Sequence, residues 1–192
     1  MAKTGLYSAE TQNNTLKKVY IAKPKANTSI DITRGLVLSG QMSSFKFSIN
    51  PKTANNISWR DKDGKEVRLD NFINKVILLN FWASWCAPCI RELPSINNLQ
   101  KLFTRNKFVA IALNIDRGGL PIASRYKNKL KLDQLELFYD NKNNVAKAMD
   151  IRALPTSILF DKKGMEVGRL VAAAEWDSQE AQELITHFIG KQ

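Results

Sequence analysis

The sequence of 192 residues predicts an α/β protein in which buried strands alternate with amphipathic helices, and three stretches carry that expectation. Val76-Ile77-Leu78-Leu79 is an unbroken apolar run, the pattern of a strand covered on both faces. Ile90, Leu93, Ile96, Leu99 and Phe103 then recur at spacings of three and four, the period of one helical face. Near the end, Asp177-Ser178-Gln179-Glu180 reads as a capping-box start, and Ala181, Leu184, Ile185, Phe188 and Ile189 give the helix behind it a core face.

Taken in order, residues 1 to about 30 are polar and rich in Asn, Thr, Lys and Ser, as a flexible tether or arm would be. In residues 31–49, Leu38, Met42 and Phe45 share a helical face, whereas Phe45, Phe47 and Ile49 alternate as in a strand. A short helix or hairpin lying on the main domain is expected there, then a loop over 51–56. Residues 1–56 are thus set apart from a domain spanning 57–192. Ile57-Ser58-Trp59 and Val67-Arg68-Leu69 form a hairpin about an Asp63-Gly64 turn. A buried strand at 76–82, a helix at 87–103 and a strand at 108–114 follow. Residues 117–140 read as an insertion: a Gly118-Gly119 turn, a helix over 121–130 and a strand over 135–139. A helix followed by a strand extends a parallel sheet. A short helix at 144–149, a strand ending at Phe160, an Asp161-Lys162-Lys163-Gly164 turn and a strand at 165–171 lead to the final helix.

Composition narrows the class. The apolar share is 44%, and no run approaches the ~18 apolar residues of a membrane span. Met1-Ala2-Lys3-Thr4-Gly5 is followed by polar residues rather than a signal-peptide core, so the chain as written would stay in the cytosol. The net charge of +11 comes from lysines scattered along the chain, with no dense basic block interleaved with aromatics. That pattern is a solvated surface rather than a nucleic-acid site, and no nucleic-acid partner is expected.

The chemistry is concentrated in Trp85-Cys86-Ala87-Pro88-Cys89, where the strand ends and the helix begins. The unpaired N–H groups and dipole of a helix N-terminus favour negative charge and stabilise a thiolate. Cys86, at the exposed end, is therefore the expected nucleophile, and Cys89, one turn in, the sheltered resolving thiol. Pro88 falls in the first turn, where its missing N–H costs nothing. Two readings compete with a redox dithiol. A zinc site needs four ligands, and two Cys with one His, His187, fall short unless two chains share it. A purely structural disulfide would close too short a loop to constrain much of the unfolded chain. No metal is expected, and His187, beside the core face of the last helix, reads as a rim residue.

The cysteine stretch resembles the thioredoxin-like proteins. Pro94 stands where that family kinks its active-site helix, and Ile151-Arg152-Ala153-Leu154-Pro155-Thr156-Ser157-Ile158-Leu159-Phe160 is similar to its segment in which a cis-proline faces the disulfide. Within the family the chain is most similar to the TlpA, ResA and DsbE branch, and to TlpA in particular. The leading hairpin with Asp61-Lys62-Asp63-Gly64-Lys65, the insertion, Cys89-Ile90-Arg91-Glu92-Leu93-Pro94, Gly168-Arg169-Leu170 and Ala174-Glu175-Trp176 carry this likeness, which covers residues 57–192. It implies a thioredoxin-like fold: a central mixed sheet flanked by helices, with an N-terminal hairpin and a helix-strand insertion. It also implies a reductant of envelope-protein disulfides, working through a Cys86–Cys89 disulfide and no other cofactor. Trp85, Ala87, Pro88, Leu154 and Pro155 would contact the client. The implied clients are cysteine pairs of cytochrome c maturation or oxidase copper-centre assembly, and the implied electron donor is a membrane protein of the DsbD or CcdA type. The implied location is the bacterial periplasm, with an inner-membrane anchor upstream of this sequence. The alternatives are an oxidase or isomerase of folding proteins, and a copper-binding chaperone, which would need a histidine beside the cysteines.

One departure from the family pattern is informative. Where cytosolic thioredoxins place a buried aspartate before Phe-Trp, this chain has Asn80, whose amide cannot take the proton that Cys89 must lose. Glu92 lies three residues after Cys89 on the same helix face, and is the expected proton acceptor, with a raised pKa. The competing reading is a helix-start glutamate that complements the dipole.

Overall fold

A computed structural model describes residues 36–51, 53–54, 57–136 and 138–190. The expected tether over residues 1–30 lies outside them. In chain order the described strands are β1 (Lys46–Phe47), β2 (Ser58–Asp61), β3 (Glu66–Arg68), β4 (Val76–Trp82), β5 (Phe108–Asn114), β6 (Phe138–Tyr139), β7 (Thr156–Phe160) and β8 (Glu166–Leu170). The helices are α1 (Ala87–Leu102), α2 (Leu120–Leu130), α3 (Asn144–Ala148) and α4 (Gln179–Gly190). The strands form one mixed sheet in the order β1-β8-β7-β4-β5-β6-β2-β3, with β4–β5 and β5–β6 parallel and the other pairs antiparallel.

Every residue of β4 and β5 is buried, as their continuous apolar runs require. Successive side chains point to opposite faces of a strand, and β4 divides accordingly. Val76, Leu78 and Trp82 pack with α1, α4 and Ala123 of α2. Ile77, Leu79 and Phe81 pack with Trp59, Leu69, Phe138 and α3 residues Val145 and Ala146. The described residues from Leu36 onward therefore form three layers with the sheet in the middle.

Both hairpin turns have the same internal fastening. Asp61 Oδ1 accepts the N–H of Asp63 and of Lys65, each at 2.9 Å, and Asp161 Oδ1 does the same for Lys163 and Met165. Gly64 and Gly164 take the left-handed conformation, φ 75° and 74°, that closes each turn.

Two elements differ from expectation. The 31–49 segment is neither one helix nor one hairpin: a 3₁₀ turn at Gly40–Ser44 buries Met42, and β1 then pairs with β8 at the sheet edge. The two overlapping sequence patterns act in succession, with Phe45 buried where they meet and Ile49 left exposed. Residues N-terminal of Ile57 thus contribute to the folded unit, and Thr53 bridges to Met165 within the expected loop. Among the described residues the inserted strand pairs at Phe138–Tyr139 rather than over 135–139. The backbone before it is engaged by side chains instead: Gln134 N–H donates to Asn97 Oδ1 at 2.8 Å, and Lys127 Nζ donates to the Leu135 carbonyl. The insertion does extend the parallel sheet. β6 runs parallel to β5 and antiparallel to β2, so it also ties the hairpin to the rest of the molecule.

Candidate active site

The site forms at the C-terminal end of β4. The loop that follows is held from the neighbouring strand: Asp116, just past β5, accepts from Ser84 N–H at 2.7 Å through Oδ2 and from Ser84 Oγ at 2.9 Å through Oδ1. Asn114 Nδ2 donates to the same carboxylate at 2.8 Å. Tyr126 of α2 donates its hydroxyl to the Ser84 carbonyl at 3.3 Å and packs edge-on against Trp82. The carboxylate is buried but supplied with donors, and so fixes Ser84, two residues before Cys86.

Cys86 is the N-cap of α1, and its sulfur accepts the Cys89 N–H at 3.3 Å, one of the donors a helix start leaves unpaired. Pro88 lies in the first turn and Pro94 inside the helix, as expected. Cys86 and Cys89 form a disulfide with Cα atoms 5.3 Å apart. Exposure separates the two less than the sequence suggests. Cys86 is 5% exposed and Cys89 fully covered, whereas the neighbouring Trp85 is 72% exposed.

The Leu154–Pro155 peptide bond is cis. Phe81 pairs with Thr156, so Pro155 falls level with Trp82, at the same end of β4 as the disulfide. Of the five expected contact residues, Trp85 and Ala87 are exposed, Pro88 and Leu154 half-buried, and Pro155 buried. Pro155 immediately precedes β7, which is buried along its whole length.

Glu92 is 2% exposed and is not a surface helix-start residue. Its Oε1 accepts from Asn80 Nδ2, and its Oε2 accepts the Ala174 N–H at 2.9 Å. Burial disfavours the charged form and pushes its pKa up to about 8. The Ala174 N–H and the Asn80 amide pull in the opposite direction, and the charge of Glu175 adds slightly to the rise. Asn80 also donates to Ser157 Oγ at 2.9 Å, which leaves Asn80 Oδ1 buried without a hydrogen-bond partner.

Sequence reasoning identified Asn80 as a missing base but not as the residue that holds Glu92. Ser157, Ser84 and Asp116 also went unassigned, although Asn114-Ile115-Asp116 shows polar residues closing a buried strand. The Ala174 contact comes from a backbone N–H and leaves no trace in residue type. His187 sits on α4, edge-on to Phe188, and lines a groove with Leu36 and Val37.

Residues 50–185 match the redoxin family model. The thiol-disulfide oxidoreductase ResA of Geobacillus thermodenitrificans is 31% identical over 112 residues, which are 58% of this chain and 63% of that protein. ResA of Bacillus thuringiensis subsp. konkukian is 34% identical over 115 residues, 59% of this chain and 64% of that protein. The chain thus spans a little under two thirds of the length of these relatives. The thioredoxin domain of a thiol-disulfide oxidoreductase from Bacteroides vulgatus superposes with a TM-score of 0.60 at 20% identity, over 72% of this chain and 96% of that one. That superposition establishes the thioredoxin-like fold.

Proposed function

The chain belongs to the redoxin family, in its TlpA/ResA/DsbE branch, and we propose that it is a thiol-disulfide oxidoreductase that reduces disulfides of client proteins through Cys86 and Cys89. The observation that carries this reading is the Cys86–Cys89 disulfide at the N-terminus of α1, with the Cys86 sulfur accepting a helix-start N–H. The same arrangement in the reduced protein favours the Cys86 thiolate over its thiol.

In the first step Cys86 thiolate attacks one sulfur of the client disulfide. That bond breaks, a Cys86–client disulfide forms, and the other client sulfur leaves as a thiolate. Cys89 then gives its proton to Glu92 and attacks Cys86 Sγ. The Cys86–Cys89 disulfide forms, and the second client thiolate departs and is protonated. Two electrons pass from the protein to the client. A carboxyl with a pKa of about 8 suits this transfer, because both of its protonation states are accessible near neutrality. Trp85 and Ala87, with Pro88 and Leu154 behind them, receive the client segment, and Pro155 shapes the floor.

The finer reading follows from the branch resemblance. Clients are cysteine pairs of cytochrome c maturation or of an oxidase copper centre, the electron donor is a membrane protein of the DsbD or CcdA type, and the protein works in the periplasm on an inner-membrane tether. Among the described residues no helix is long and apolar enough to cross a membrane.

The test is direct. Reduced protein should precipitate the chains of insulin as it reduces their disulfides, Cys86→Ser should abolish this, and Cys89→Ser should accumulate mixed disulfides. Trapping clients with Cys89→Ser in source cells would name them. Faster alkylation of Cys89 than of Cys86 under native conditions would reverse the assigned roles.

A further inference from the structure

We propose that the face of α2 beside Trp85 is a docking surface for acidic segments of the client, so that charge next to the client disulfide sets which disulfides are taken. This rests on the proposed thiol-disulfide exchange and adds the chemical class of its clients.

Charge is distributed unevenly around the disulfide. Arg68, Arg105, Arg152 and Arg169 each face a carboxylate, whereas among the described residues exposed Arg60 and Arg91 form no ion pair, Arg60 donating instead to the Gly64 carbonyl and Arg91 standing alone on α1. On the cis-proline side of the site Arg152 is thereby neutralised by Asp150 at 2.9 Å. On the opposite side Arg125 and Lys129 are exposed, and neither forms an ion pair among the described residues. Exposed Arg117, next to Asp116, likewise forms no ion pair among the described residues. The carboxylate next to Arg117 in sequence, Asp116, is already committed to Ser84 and Asn114.

The geometry brings these cations to the rim. Arg125 and Lys129 stand four residues apart on one helix face, with Arg125 Cζ 5.4 Å and Lys129 Nζ 5.7 Å from the Tyr126 ring centroid. Tyr126 in turn donates to the carbonyl of Ser84, the residue joined to Trp85. Two like charges at this spacing weaken a helix slightly, and α2 holds no acid to relieve them. Complementing the helix dipole accounts for Lys127 and Lys129 in the last turn but not for Arg125 in the middle. An aromatic anchor with unpaired cations beside it fits an extended segment that carries carboxylates next to its disulfide. Such complementarity chiefly raises the rate of encounter and selects among partners.

The experiment has a binding arm and a reaction arm. In the first, oxidised protein is titrated with two cysteine-free peptides that differ only in Glu against Gln at the flanking positions, followed by tryptophan fluorescence. The Glu peptide should bind about tenfold more tightly at low salt, and the advantage should vanish in high salt. It should also vanish in Arg125→Gln/Lys129→Gln and reverse toward a Lys peptide in Arg125→Glu/Lys129→Glu. In the second arm reduced protein meets disulfide-closed versions of the Glu and Gln peptides and a small neutral disulfide. The Glu preference should appear in the rate, while the double variants should reduce the small disulfide as fast as the parent. Loss of reaction with every disulfide would sink the exchange chemistry and leave the binding arm to judge the surface. Equal affinity for the two peptides, or a preference kept by the double variants, overturns the proposal. So does binding to anionic phospholipid vesicles that depends on Arg125 and Lys129 without any peptide preference, since the surface would then serve a membrane.

Discussion

Glu92 concentrates the chemistry of single residues in this protein. Its ordinary pKa of 4.5 rises to about 8 in the fold, so the folded state holds the proton more tightly than the unfolded chain does. The associated stability is complete below pH 4.5 and is lost as pH rises toward 8, at roughly 1.4 kcal/mol per unit. Glu92→Gln removes that slope. A glutamine has one oxygen where the carboxylate accepts twice, from Asn80 and from Ala174, so the variant also loses a hydrogen bond or forces the Asn80 amide to turn. That offset is the same at every pH. Urea unfolding of parent and variant at pH 5 and pH 8 therefore isolates the ionisation, and the difference between the two proteins should shift by a few kcal/mol in favour of the variant at the higher pH. A constant difference would mean that the pKa is not raised. Should Glu92 also accept the Cys89 proton, the variant must slow exchange and change its pH profile, which a purely structural glutamate would not do. The sequence exposed this residue through its spacing from Cys89. It could not expose the burial, which depends on the residues 171–176 returning over α1.

Among the elements, β1 is where local sequence was least informative and where a glycine matters most. A Cβ built on Gly168 would lie 2.4 Å from Phe45 Cε1 and 2.6 Å from the Lys46 carbonyl oxygen. The second contact is backbone and cannot rotate away. Gly168→Ala should therefore push β1 off β8 and loosen Phe45, costing about 1–3 kcal/mol as overpacking does. The denaturation midpoint should fall and cleavage by protease between residues 36 and 48 should quicken, with thiol exchange at the C-terminal end of β4 retained. An unchanged midpoint would show that β1 contributes little. The strong elements, β4, α1, β5 and α4, were legible because each carries a long run of one period. β1 and β6 were not, because a two-residue strand has no period. Their pairing is decided by what lies opposite: Gly168 leaves room for Phe45, and Leu113 and Arg60 flank Phe138 and Tyr139 with open backbone.

Across the whole molecule the sheet is unevenly joined. β4 pairs with β5 over seven residue pairs and with β7 over five, whereas β6 holds β2 through two pairs, Arg60–Tyr139 and Asp61–Phe138. The Trp59, Phe72 and Phe138 rings pack at that seam at 6.0 and 6.3 Å between centroids, adding apolar contact to the short ladder. Local opening follows the weakest cooperative boundary. Native-state hydrogen exchange should then divide the chain: the amides of β2 and β3 should exchange through an opening of lower free energy than those of β4, β5 and β7, which should wait for global unfolding. Because Cys86 and Cys89 depend on β4, α1 and the Asp116 clamp, denaturant that speeds exchange in the hairpin should leave the alkylation rate of reduced Cys86 unchanged until the global transition begins. One opening free energy for the hairpin and for β4 would show instead that the aromatic seam binds the sheet into a single unit, and that the inserted helix and strand are part of the structure on which the disulfide rests.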